Sequence, residues 1–177
     1  MSIILIPVEN LEPGLLPDLR EALRRIFREE VATGEMVRLP ERARNDLRDQ
    51  YEAETVLDAV ARLGQGTGGD RRLGITDADL YVPGLNFIFG LAKQRDAVIS
   101  LHRLRQSFYG LFDDRKIFCH RVLVEAVHEL GHTYGLPHCR NPACVMHFSS
   151  TIAETDRKGP GFCPSCHRNI AAVPIRR

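Results

Sequence analysis

Four residues in the C-terminal half, His128, Glu129, His132 and His138, have the types and the spacing to hold a metal ion and to activate water beside it. Histidines four apart on a helix lie on one face, so the imidazoles of His128 and His132 can converge on a single cation. Gly135 falls where such a helix should stop, because a residue without Cβ can adopt the left-handed conformation that ends a helix and reverses the chain. The reversal lets His138 return beneath the same ion. Three neutral imidazoles leave the fourth position of Zn²⁺ open to water, which separates a catalytic zinc from a structural one. Glu129 follows the first ligand by one residue, about 100° round the helix, and so would flank that water rather than bind the metal. It is the candidate general base.

Cys139, Cys144, Cys163 and Cys166 follow as CRNPAC and then CPSC. Four thiolates fill all the positions of a tetrahedral zinc and leave none for water, so this pattern points to a second, structural ion. In a C-terminal lobe with few large apolar residues, such an ion takes over the work of a hydrophobic core. Disulfides are the rival reading, disfavoured in a reducing cytoplasmic compartment. His147 and His167 stand close enough to compete as ligands, but the cysteine set is complete without them. Cys119, among Ile117, Phe118 and Val122, reads as a buried core thiol.

The run HELGHTYGLPHC carries the long pattern HExxHxxGxxH of the metzincin metallopeptidases. With four cysteines directly behind the third histidine, the last third of the chain resembles the archaemetzincin family. The resemblance implies an α/β (α+β) zincin-like fold, with a twisted mixed sheet, a backing helix and the active-site helix in residues 1–135. Residues 136–177 would form a small zinc-stabilised subdomain with the third histidine, the Met-turn and the four-cysteine site. Met146 stands where metzincins carry the methionine that floors the metal. Upstream, TDADLY (residues 76–81), GLNFIFGLA (84–92) and AVISLHRL (97–104) are similar to the family's sheet region. In metzincins the lower strand of the sheet lies antiparallel to bound peptide, a role that would fall here to Phe87, Ile88, Phe89, Gly90 and Leu91. Edge-strand addition of this kind gives affinity through main-chain groups; from the residues alone, an ordinary core strand stays equally open. The astacin branch places a hydrogen-bonding tyrosine two residues beyond the methionine. Phe148 stands there, without a donor, which leaves transition-state charge mainly to zinc and implies modest turnover.

These side chains need elements to hold them. Residues 3–8 read as a short, continuously apolar central strand. Leu19, Leu23, Ile26 and Phe27 make an amphipathic helix that can pack on it. Residues 35–39 alternate like a second strand, and residues 42–62 carry apolar positions, Leu47, Tyr51, Val56, Leu57 and Val60, at roughly helical intervals. Residues 64–70 contain four glycines and predict an exposed loop. Residues 72–76 make a short strand. Residues 86–92 and 97–101 predict adjacent strands joined by a tight turn. From Lys116 an apolar stripe through Val122, Leu123, Val127, Leu130 and Tyr134 faces the core, while Arg121, Glu125, His128 and His132 face a cleft. Asp77 and Asp79 suggest turns and caps rather than a cation site.

A chain of 177 residues suits one domain with a small appendage. With 24 basic and 23 acidic residues it offers no bulk charge to attract nucleic acid or an anionic membrane. No apolar run approaches the ~18 residues that would span a bilayer, and residues 1–8 read as a strand rather than a leader. The expectation is therefore a cytoplasmic, monomeric zinc metallopeptidase, aminopeptidase or oligopeptidase-like, with two zinc ions and with peptides or unfolded polypeptide as substrate. The reading from a different class is a non-catalytic zinc-binding module whose cysteine lobe grips protein or nucleic acid. Arg140, Arg157, Lys158, Arg168, Arg176 and Arg177 would supply its charge, although no aromatic residues interleave with them for base stacking.

Overall fold

Apolar residues on both faces of a strand demand cover on both faces, and β1 (Ser2–Val8) shows how this chain meets that demand. Ile3 and Leu5 enter one core, and Ile6 and Val8 enter another on the opposite side of the sheet. The computed structural model describes residues 2–63 and 70–171. Among these, β2 (Glu30–Thr33), β1, β5 (Arg71–Thr76), β8 (Asp96–Ser100) and β7 (Gly90–Lys93) form a sheet in that order. The first four strands run parallel; β7 is antiparallel to β8 and closes one edge. Helices α1 (Leu15–Phe27) and α3 (Arg115–Thr133) cover one face through Leu19, Leu23, Val122, Val127 and Leu130. Helix α2 (Ala53–Arg62) covers the other through Val56, Leu57 and Val60.

Two expectations need correction. The second strand is residues 30–33, not 35–39. Helix α1 ends at Phe27 with Arg28 in the left-handed conformation (φ 55°), so the chain turns into the sheet at once. Of residues 35–39, Val37 alone bridges, to Val8. The helix expected over residues 42–62 is only its second half. Its first half is a hairpin of β3 (Arg44–Asn45) and β4 (Gln50–Glu52), which joins β6 (Leu80–Tyr81) in a small separate sheet. Asn45, Asp46 and Asp49 are turn formers, and Asp49 takes a positive φ. Arg44 pairs with both Asp46 and Asp49. Leu47, counted in the helical pattern, is fully exposed at the tip.

The expected loop at residues 64–70 lies outside the described residues except for Asp70, whose carboxylate accepts from the backbone and hydroxyl of Ser2. Of the strands expected at 86–92 and 97–101, the first is shortened to residues 90–93, because Ile88 leaves the main sheet to bridge Leu80, and the second is residues 96–100. The C-terminal part adds α4 (Ile152–Arg157), opened by a Thr151/Glu154 capping box, and α5 (Pro164–Ala171). Cys144, Val145, Met146 and Cys166 pack into the same core as α1 and α3. No helix among the described residues is long and apolar enough to cross a membrane.

Candidate active site

Helix α3 is fixed at both ends. The carboxylate of Asp114 accepts from the backbone of Lys116 and Ile117, capping the first turn. At the other end Gly135 (φ 83°) donates to His132 and Leu136 donates to Gly131, the paired closure of a glycine-terminated helix. That closure also serves the site. It brings the Leu136 carbonyl within 2.8 Å of His132 Nδ1. The carbonyl of Val145, on the segment that returns under the helix, lies 2.8 Å from His128 Nδ1.

A carbonyl only accepts, so both Nδ1 atoms carry the proton and both Nε2 atoms present a lone pair. These two lone pairs face one another at 3.1 Å, an arrangement that repels unless a cation lies between them. A donor nitrogen of His138 completes a group whose ligand atoms all lie within 4.8 Å of one another. Burial favours the neutral imidazole in all three, the form that ligates; His128, buried and beside Lys158, is pushed down to about 3. The donor set therefore fits a zinc ion with an open position.

Glu129 points into a cleft of about 560 Å³ between α3 and the chain entering β7. Its side chain lies so close to Gly90 that a Cβ built there would stand 2.5 Å from Glu129 Cγ and 2.8 Å from Oε1. Only glycine lets the edge strand approach the carboxylate this closely. Burial, with Glu125 one turn away, raises the Glu129 carboxyl well above the usual range. Phe87, Ile88, Phe89, Gly90 and Leu91 all border the cleft, as do Phe148, Ser149 and Ser150. The Phe148 ring is tilted against His138, with centroids 5.0 Å apart.

The four cysteines make a second group. Their sulfurs lie within 4.8 Å of one another, and Cys139 Sγ and Cys163 Sγ are 3.9 Å apart. Sulfur–sulfur edges of about 3.8 Å belong to a tetrahedron with metal–sulfur distances of about 2.3 Å, whereas a disulfide needs about 2.05 Å. Backbone donation from Cys166 draws the Cys163 thiol down to about 7, while burial pushes the Cys144 and Cys166 thiols up. Met146 is fully buried, its sulfur against Gly131. His147 turns its ring to the Cys139 carbonyl and so braces the loop between the two groups.

A family model described as peptidase family M54 matches residues 24–172. An archaemetzincin of Natronomonas pharaonis is 39% identical over 175 residues, 96% of this chain and 99% of that protein. The chain belongs to the archaemetzincins. Among solved structures it is similar to the archaemetzincin of Methanopyrus kandleri, with a TM-score of 0.81, 39% identity and coverage of 97% of this chain and 96% of that one. It is also similar to a zinc-dependent peptidase of Methanocorpusculum labreanum, with a TM-score of 0.85, 30% identity and coverage of 95% and 99%. As an archaemetzincin it is a zinc metallopeptidase, and its mixed α/β fold is that of the family's solved structures.

The fold thus gathers His128, His132 and His138 into one group and Cys139, Cys144, Cys163 and Cys166 into another, with Glu129 beside the first. Other residues escaped sequence reasoning. Lys158, grouped there with the basic residues of a protein- or nucleic-acid-gripping lobe, is only 1% exposed and borders the cleft. It lies 3.9 Å from the buried Glu125, which accepts from the Thr155 hydroxyl. Arg121 is committed to a two-pronged pair with Asp156 that ties α4 to α3. Nothing in the local pattern around Lys158 signals its burial, which follows from α4 docking on α3. Asp79 is held by Arg103 and Gln50, and Asp77 by Arg105. Cys119 is half-buried beside α1, a less enclosed place than the sequence implied, and burial raises its thiol.

Proposed function

We propose that this archaemetzincin hydrolyses peptide bonds at a zinc ion held by His128, His132 and His138, with Glu129 as general base, and that Cys139, Cys144, Cys163 and Cys166 hold a second, structural zinc. The carrying observation is the pair of Nε2 lone pairs facing at 3.1 Å, each fixed by a carbonyl on its other nitrogen. When bound, zinc supplies Lewis acidity, which polarises a substrate carbonyl and lowers the pKa of water at the open position to about 7. The chain does the rest. The outer edge of β7, unpaired among the described residues, together with Phe87, Ile88, Phe89, Gly90 and Leu91, aligns an extended substrate by main-chain hydrogen bonds. Glu129 takes a proton from the attacking water and delivers it to the departing amine nitrogen. Met146 and Gly131 form a rigid apolar floor. Phe148 adds no donor, so turnover is modest.

The cleft suits short peptides or unfolded segments, as an aminopeptidase or oligopeptidase would use. Clustered cysteines that hold zinc rather than pair as disulfides belong to a reducing, cytoplasmic setting. The same proposal divides the chain at residue 135, where the helix carrying two ligands ends and the part carrying the third begins. Glu129→Gln is expected to retain zinc and to lose about 10²–10⁴-fold in peptide hydrolysis, whereas His132→Ala loses both. Elemental analysis and a fluorogenic peptide assay decide it: a Gln variant as fast as the parent removes Glu129 from the mechanism, and zinc confined to the cysteines removes the mechanism altogether.

A further inference from the structure

Leu85, Phe108, Tyr109, Leu111 and Phe112 are exposed, Phe112 fully, in the chain that enters β7 and the chain that leaves β8. Large apolar side chains scattered singly on a surface need no explanation, whereas joined ones mark a binding surface. Arg103 joins these to the cleft. Its guanidinium lies 4.2 Å from the centre of the Phe87 ring and 4.7 Å from that of Phe108. On one side Phe87 borders the cleft and meets Phe89 edge-on at 5.2 Å; on the other Phe108 meets Tyr109 at 5.0 Å. A stack therefore runs from the wall beside Gly90 and Glu129 out to the loop at residues 107–113. That loop is held in shape. Asp113 accepts from the Ser107 backbone, Leu111 donates to the Gln106 carbonyl, and the Tyr109 hydroxyl donates to the Arg103 carbonyl. Gly110 takes the left-handed φ of 73° that the reversal needs. Arg103 is itself fixed by two bonds to Asp79. A partner would meet these apolar groups already ordered, which lowers the entropic cost of binding them.

Where the stack leads identifies the occupant. The wall it continues is the one along which an extended chain lies in the peptidase reading above, on which this inference rests. From Gly90 to Phe87 is roughly 10 Å of extended backbone, and the two ring–guanidinium steps carry the surface on by up to about 9 Å. At about 3.3 Å per residue, a chain lying in the cleft reaches Phe108 about six residues from the bond that is cut. We infer that Phe108, Tyr109, Leu111 and Phe112 form a secondary binding surface for an aromatic or large aliphatic side chain of the substrate polypeptide at that distance. The preferred substrates are then unfolded segments that extend beyond the cleft. Arg103 and Arg105, at the base of the loop, are paired with Asp79, Asp77 and Glu12 and so offer no spare charge to an anionic lipid surface.

The test uses zinc-loaded Glu129→Gln protein, in which binding is read without turnover. A short peptide that fits the cleft is extended by about six residues, in one series at its N-terminus and in another at its C-terminus, with Phe or Ser at the far end. By calorimetry, Phe is expected to lower Kd at least about tenfold relative to Ser in one series, the scale of about 60 Å² of apolar surface removed from water. The series that responds tells which way the chain lies. Phe108→Ala, and separately Leu111→Ser combined with Phe112→Ser, are expected to remove most of that ratio. Because the ratio is read within each variant, a general loss of metal or stability cancels. The same ratio is read as kcat/KM in the parent; a binding preference without hydrolysis sinks the peptidase reading and leaves the surface standing. Equal affinity for Phe and Ser in both series overturns the surface, as does a preference undiminished in the variants. If the ratio is absent while the parent binds phosphatidylcholine vesicles, or dimerises in sedimentation, and the Leu111→Ser, Phe112→Ser protein does neither, the loop belongs to a membrane or to a second copy of the chain instead.

Discussion

Gly90 sets how near the edge strand comes to the Glu129 carboxylate. A methyl group there would meet the Glu129 side chain at 2.5–2.8 Å, so the strand or the side chain would have to shift. Gly90→Ala is therefore expected to cost about 1–3 kcal/mol of stability and to lower kcat, with zinc retained. A urea midpoint and metal content unchanged from the parent, with full activity, would show that the strand gives way. The site residues were legible in the sequence because helical geometry alone puts His128 and His132 on one face, and a glycine stop alone returns the chain to His138. The contact of Gly90 with Glu129 and the burial of Lys158 were not, because both are decided by packing between elements distant in sequence.

At the scale of elements, the small sheet has a purpose that periodicity could not reveal. Arg48, in the hairpin between β3 and β4, donates to the carbonyls of Leu85 and Asn86, and Gln50 donates to Asn86 as well. The stretch they grip is the wall of the cleft. Read as a helix, residues 42–62 kept Val56, Leu57 and Val60 on the correct face, but turn formers override a helical spacing that rests, before residue 53, on the exposed Leu47 and on Tyr51 of β4. Arg48→Ala is expected to raise KM several-fold while kcat and zinc content change little. A fall in kcat at unchanged KM, measured with a short peptide, would instead give the hairpin a part in the chemistry. The central strands were legible because apolar runs in β1, β5 and β8 are buried on both faces. Their order was not, since sequential strands carry no mark of which neighbour they choose.

Across the whole molecule, the cysteine group and the main core are continuous through Cys144, Val145, Met146 and Cys166. Backbone bonds from Val145 to Gly161 and from Cys139 to Met146 knit the same region. Cys163→Ser is expected to shed the sulfur-held zinc, to lower the thermal midpoint, and to expose residues 136–171 to limited proteolysis before the β-sheet. If proteolysis instead attacks the sheet first, the C-terminal part is not the weaker unit. His138 and Cys139 are consecutive residues, yet each belongs to a different cluster of ligands. An oxidant that links the sulfurs would draw Cys139 from its place and carry its neighbour with it. On the proposed assignment, loss of an ion that takes no part in hydrolysis would then extinguish the enzyme, and the cysteine cluster would act as a fuse wired in series with the histidine site.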